Sequence, residues 1–91
     1  MSLGPIGRQI EQALREALSP RHLEVIDESA RHAGHAGANP AGESHFHVVI
    51  EAEAFRDLPL VARHRLVNEA LGELLEGRVH ALRITARSPE E

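Results

Sequence analysis

The feature that most constrains the fold of this chain is a hydrophobic period that switches between helical and strand-like spacing in a fixed order. Apolar residues recur every three or four positions in the first segment, and Ser19-Pro20 ends that pattern because proline disfavours a helical residue before it. Strict alternation of apolar and polar residues follows, as in strands with one buried face. The sequence thus predicts helix, strand, strand, helix and strand over 6–18, 22–28, 44–52, 60–75 and 78–87.

This order predicts an α+β fold of two layers. A hairpin followed by a right-handed β-α-β crossover gives a mixed three-stranded sheet with both helices on one face, a class II K-homology-like arrangement. Pro59 suits the first turn of the second helix, and Gly77 suits its end. The stripe of that helix comprises Leu60, His64, Val67, Leu71, Leu74 and Leu75. The predicted core comprises Ile10, Leu14, Val48, Ile50, Val67, Leu71, Leu82 and Ile84.

Ninety-one residues allow one domain, here 1–91, with frayed ends predicted at 1–5 and 88–91. The segment between the first two strands, 29–43, is rich in small residues and repeats His-Ala-Gly in tandem. A loop of that length in a small domain is usually functional or mobile, so we predict a mobile hairpin tip. Residues 54–58 form a connector with a short helical turn.

Composition sets limits on function. The chain has no cysteine, so it offers neither a disulfide nor a thiolate ligand. It has no apolar run long enough to span a membrane and no signal-peptide pattern, so we expect a soluble, monomeric, cytoplasmic protein without membrane contact. No phosphate loop or dinucleotide fingerprint occurs, and Ser29, Ser44, Asp27 and His45 lack the strained elbow of a hydrolase. We therefore predict that the chain is not an enzyme.

The seven histidines are the most informative residues, because neutral imidazole is the commonest metal ligand in proteins. His32 and His35 share the predicted loop, and His80 begins the last strand on its helix-facing side. His45 and His47 are interpreted as half-exposed residues on the outer face of the sheet. None of these spacings is as specific as a zinc-finger pattern.

Four sequence blocks resemble those of the BolA family, in the order in which that family carries them. They cover the chain from about residue 10 to residue 89. The blocks are Leu23-Glu24-Val25-Ile26-Asp27-Glu28-Ser29, Ser44-His45-Phe46-His47-Val48-Val49, Arg63-His64-Arg65-Leu66-Val67-Asn68-Glu69-Ala70-Leu71 and Val79-His80-Ala81-Leu82.

The resemblance implies a heterodimer with a monothiol glutaredoxin and a glutathione-dependent 2Fe–2S cluster shared between the two proteins. It implies His80 as the main ligand and a second ligand from the hairpin loop, for which His32 matches and His35 is a neighbouring alternative. Because this chain has no thiol, the sulfur ligands would come from the glutaredoxin cysteine and its glutathione. The isolated chain would carry no cofactor, and the role would be cluster trafficking or iron regulation.

Two alternatives remain open at this point. Some BolA family members act as transcription regulators, and Arg63, Arg65 and Arg78 could contact DNA phosphates. The net charge of −4 and the absence of Tyr and Trp count against DNA binding, and no K-homology Gly-x-x-Gly loop precedes the second helix. So does Asp57, at a position where the family often has glycine. The other alternative is an adaptor that binds a protein through His45, His47 and Val49 without metal.

Overall fold

Three strands and two long helices follow one another in the predicted order. The computed structural model of the chain describes residues 4–28, 45–72, 74–77, 79 and 81–89. A 3-10 turn at Glu53–Phe55 occupies the start of the predicted connector. The helices are α1 Pro5–Leu18, α2 Leu60–Leu71 and α3 Leu74–Gly77, and the strands are β1 His22–Asp27, β2 His45–Glu51 and β3 Ala81–Arg87.

Helix α1 buries one stripe of its surface and ends where the sequence predicts. Ile6, Ile10 and Leu14 lie four residues apart and are all buried, the last two completely. Each fully buried side chain of this size contributes roughly 1.5–3 kcal/mol relative to an exposed one. Ser19 ends the helix in a left-handed conformation with φ 45°, and its N–H donates to the Arg15 carbonyl at 3.1 Å.

The three strands form one mixed sheet in the order β1-β2-β3, which confirms the predicted sheet. β1 pairs with β2 in antiparallel register, Val25 opposite Val48, and β2 pairs with β3 in parallel register, Val48 opposite Ile84. Phe46, Val48 and Ile50 are at most 1% exposed and contribute to a core shared with α1 and α2. The helices therefore cover one face of the sheet; no helix of the described residues covers the other, which we call the open face. The K-homology-like label stays a prediction.

Six of the eight residues predicted for the core are buried. The two largest side chains of the core were not among the predicted residues. Leu82 and Ile84 are partly buried and pack against the core instead of lying within it. Phe46 and Phe55, which the predicted core omitted, are 1% and 0% exposed. Phe55 lies in the 3-10 turn, where one apolar residue gives no period to detect. The buried residues among those predicted are Ile10, Leu14, Val48, Ile50, Val67 and Leu71.

The second helix ends earlier than predicted. It stops at Leu71 because Gly72 adopts φ 47°, a conformation that favours glycine, and donates its N–H to the Asn68 carbonyl at 2.9 Å. Gly77 belongs to the short helix α3 and is not the stop. The predicted stripe is wrong at Leu60, which is 63% exposed, because the buried face of α2 follows Arg63, Val67 and Leu71.

Replacing Gly72 with alanine is expected to destabilise the protein by about 1–2 kcal/mol, because an L-residue is strained at this φ. An added Cβ would meet the Glu69 carbonyl oxygen at 3.8 Å, an ordinary contact, so the cost comes from the backbone alone. Urea unfolding measures it. Glu69→Ala, an exposed change one turn earlier, is the control and should stay within about 0.5 kcal/mol of wild type. Stabilisation by Gly72→Ala, as expected inside a regular helix, would contradict this explanation.

The chain ends differ in part from the frayed segments that the sequence predicts. Pro5 lies in the first turn of α1, and Ser88 is buried at 6% exposure. The predicted mobile segment 29–43 lies outside the described residues. In the described stretches, every helix is too short or too polar to cross a membrane.

Candidate functional site

The strand register brings three separate points of the chain together at one end of the sheet. The Glu28 N–H donates to the His45 carbonyl at 2.7 Å, and His45 pairs with Ala81 across the parallel strands. We call this row of Glu28, His45 and Ala81 the His45 end of the sheet. In sequence, segment 29–44 follows Glu28 and precedes His45, and residue 80 directly precedes Ala81. Both boundaries of the loop and the start of β3 therefore lie at the same end.

The candidate ligands belong to stretches of sequence that adjoin the His45 end, and they lie outside the described residues. This holds for His32, His35 and His80, and also for Arg78 of the DNA-binding alternative. Their roles therefore stay predictions. Within the parts of the chain that are described, no three His, Cys, Asp or Glu side chains come together as a metal site.

A polar network crosses the open face of the sheet beside the His45 end. Arg83 Nη2 donates to Glu28 Oε2 at 2.8 Å and lies 3.3 Å from His47 Nδ1. His47 Nε2 lies 2.9 Å from Thr85 Oγ1. A guanidinium nitrogen is only a donor, so Nδ1 accepts, and the neutral ring carries its hydrogen on Nε2 and donates to Thr85. One imidazole tautomer therefore satisfies both neighbours.

Sequence reasoning missed this network because its members come from three places in the chain. The alternating pattern predicted His47 on the outer face of the sheet, which the structure confirms, and Arg83 and Thr85 share that face. The pattern left open which residue of β2 lies opposite which residue of β3. The observed register pairs His47 with Arg83, and this pairing creates the contact.

The other described histidines, which are His45, His64 and His22, differ in burial and in their place in the fold. His45 is half-buried on the open face, and His64 is half-buried on α2. His22 begins β1 at the opposite end of the sheet, where its Nε2 lies 3.8 Å from Glu24 Oε1 and its register partner is Glu51. His22 is therefore remote from the His45 end, which makes His22→Ala a suitable control for substitutions of the candidate ligands.

Arg63 has a structural position that does not suit a phosphate contact. It is only 7% exposed, and its Nε donates to the Leu58 carbonyl at 2.9 Å. Its Nη1 donates to the Ala86 carbonyl of β3 at 3.1 Å. Both of these contacts are to backbone carbonyls, one before α2 and one in β3, so the side chain turns inward beside β3.

The neighbouring positions do not supply a basic surface in its place. Arg65 is exposed on α2, two residues beyond the buried Arg63. Asp57, before α2, adopts φ 63°, a left-handed conformation in which glycine is the usual residue. An exposed carboxylate therefore lies in the turn that leads into α2. Its negative charge repels phosphate and counts against the DNA-binding alternative.

Comparison with known proteins gives one consistent family. A family profile described as BolA-like protein matches residues 14–91. Human BolA-like protein 1 is 44% identical over 90 residues, which cover 99% of this chain. SufE-like protein 1, chloroplastic/mitochondrial, from Arabidopsis thaliana is 42% identical over 95 residues, which cover 100% of this chain.

Solved structures agree with the sequence matches. The BolA domain of SufE1 from Arabidopsis thaliana has a TM-score of 0.87 and 42% identity, and the match covers 98% of both chains. The solution structure of BolA1 from Mus musculus has a TM-score of 0.82 and 43% identity, covering 99% of this chain and 70% of that one. The α+β architecture is therefore shared with known structures at substantial identity.

The curated relatives are longer than this chain. The match covers 63% of human BolA-like protein 1 and 26% of the SufE-like protein. Activities of those whole proteins therefore come to this chain only as proposals. Relatives from Arabidopsis thaliana are described as chloroplastic/mitochondrial or chloroplastic, so the cytoplasmic location stays a prediction.

Proposed function

Because the chain belongs to the BolA-like protein family, we propose that it forms a heterodimer with a monothiol glutaredoxin and helps to hold a glutathione-dependent 2Fe–2S cluster. The role is iron–sulfur cluster trafficking or iron regulation. His80 is the main ligand that the chain donates, and His32 or His35 is the second. The partner and the cluster follow from the family resemblance. Ligation of such a cluster sets requirements that the structure and the sequence of the chain have to meet.

The observation that carries the proposal is the convergence at the His45 end. Neighbouring strands lie about 4.8 Å apart, so the main chains at Glu28 and Ala81, on the two outer strands, are separated by about 10 Å. His32 follows Glu28 by four residues and His35 by seven. An extended chain covers roughly 3.3 Å per residue, so four residues already span that separation. The chain from Glu28 to either loop histidine is therefore long enough to reach an iron bound by His80, which supports the proposal.

The donor chemistry also fits. A chain without cysteine offers imidazole nitrogens only, and 2Fe–2S centres in which two histidines replace two cysteines on one iron are known. The partner then supplies the thiolates from its cysteine and from glutathione. When bound, such a mixed-ligand cluster supplies a higher reduction potential than an all-thiolate one. Ligation requires neutral histidines, so assembly is expected to weaken as the pH falls below the histidine range.

The test is reconstitution without oxygen. We expect the wild-type chain, added to a cluster-loaded monothiol glutaredoxin with glutathione, to change the visible absorption spectrum and to co-elute with iron as a one-to-one heterodimer. The chain alone, treated with iron and sulfide, should remain colourless. An unchanged spectrum together with separate elution would rule out the proposal.

The same preparation tests the regulatory alternative. With Arg63 buried and the chain acidic overall, we expect no shift of a promoter fragment at physiological salt. A shift with a steep dependence on salt concentration would favour DNA binding instead, because each phosphate contact releases counterions.

A further inference from the structure

The ion pair between Arg83 and Glu28 joins the two outer strands of the sheet across the middle one. Glu28 follows the end of β1, and Arg83 lies in β3, with β2 between them. We propose that Arg83 is a positioning residue, which holds the chain at the start of segment 29–44 against the start of β3 and so fixes the geometry from which both histidine ligands reach one iron. This inference rests on the proposed function.

The contacts fix Glu28 from two sides. Its main-chain N–H donates to the His45 carbonyl at 2.7 Å, and its carboxylate accepts from Arg83 at 2.8 Å. The Glu28 side chain is 11% exposed, so water screens this end of the ion pair only weakly. Glu28 is the last described residue before segment 29–44. Because Glu28 is held in this way, the position from which the segment begins is fixed.

Arg83 is itself oriented by its neighbours. The same Nη2 atom contacts His47 Nδ1 at 3.3 Å, and His47 is held in turn by Thr85 at 2.9 Å. Arg83 follows His80 by three residues on the strand that His80 precedes. A shift of β3 at Arg83 along the sheet therefore also moves Ala81, the residue that follows His80 in the sequence.

The role proposed here is distinct from general stabilisation. The Arg83 side chain is 60% exposed, so its removal leaves no cavity in the core and is expected to change global stability little. Arg83→Ala should therefore fold normally and change only the His45 end. Arg87→Ala is the matched control, because Arg87 is also an exposed arginine of β3 but lies opposite Glu51 at the far end of the sheet.

Two measurements test the proposal. In the chain alone, amide hydrogen exchange should show that Arg83→Ala and Glu28→Gln lower the protection of the Glu28 N–H, whereas Arg87→Ala leaves it unchanged. In the glutaredoxin complex, the lifetime of the cluster absorption should fall at least about fivefold for Arg83→Ala and stay within about twofold for Arg87→Ala.

The reversed pair, Glu28→Arg with Arg83→Glu, provides a rescue test. It restores the ion pair, and neutral His47 can donate from Nδ1 to the new carboxylate while accepting from Thr85. We expect both the Glu28-position amide protection and the cluster lifetime to return toward wild type.

The outcomes separate this inference from the proposed function. If the wild-type complex forms the cluster and Arg83→Ala leaves its lifetime unchanged, the positioning role is overturned and the proposed function stands. If the wild-type chain forms no cluster with the glutaredoxin, the proposed function fails and the positioning role fails with it. A lifetime loss that the reversed pair does not rescue would also overturn the ion pair as the cause.

Discussion

Replacing His80 with alanine is expected to abolish the change in visible absorption that the wild-type chain causes in a cluster-loaded monothiol glutaredoxin. Removing the main imidazole leaves this cysteine-free chain with at most one ligand, from segment 29–44. One histidine is too little to displace the thiolates that hold the cluster in the glutaredoxin alone. The measurement is anaerobic visible absorption and iron content after gel filtration. Thermal unfolding should show that the variant still folds.

His22→Ala is the matched control, because His22 is an exposed histidine at the opposite end of the sheet. It should leave the spectrum of the complex unchanged. Separate His32→Ala and His35→Ala variants decide which loop histidine completes the site: the true ligand should weaken the spectral change, and its neighbour should not. A full spectral response from His80→Ala would remove His80 from the site.

Replacing Arg63 with alanine is expected to lower the free energy of unfolding by about 2–4 kcal/mol, the largest stability effect among the predictions made for this protein. The change removes two charge-assisted hydrogen bonds, to the carbonyls of Leu58 and Ala86, and leaves both acceptors without that donor. The Ala86 carbonyl contact is buried, so water cannot fully replace the guanidinium. The midpoint and slope of urea unfolding measure the effect.

Arg65→Ala provides the comparison within the same helix. Arg65 is exposed on α2, and its loss should change stability by no more than about 0.5 kcal/mol. Equal effects of the two substitutions would contradict the structural role of Arg63. An Arg63→Ala variant that keeps full stability but loses affinity for DNA would return this arginine to the phosphate-binding role that its sequence position had suggested.

The sequence alone determined the order of elements and the faces of the strands. Alternation is a local property of a few neighbouring residues, so it identifies the buried face of β2, with Val48 and Ile50, before any partner strand is known. The stripe of α1 and its end at Ser19 are local in the same way. The candidate ligands are also a sequence result, because they rest on the matching blocks and on the absence of cysteine.

Only the tertiary structure decided which residues meet across elements. Arg83 lies opposite His47 because of one particular register between parallel strands, and Arg63 turns inward because carbonyls of Leu58 and Ala86 are within reach. Gly72 ends α2 although the apolar pattern continues beyond it. Periodicity reports what each segment would bury, whereas contacts between segments depend on offsets and turns that are fixed when the whole chain packs. The clustering of three chain positions at the His45 end is such a contact.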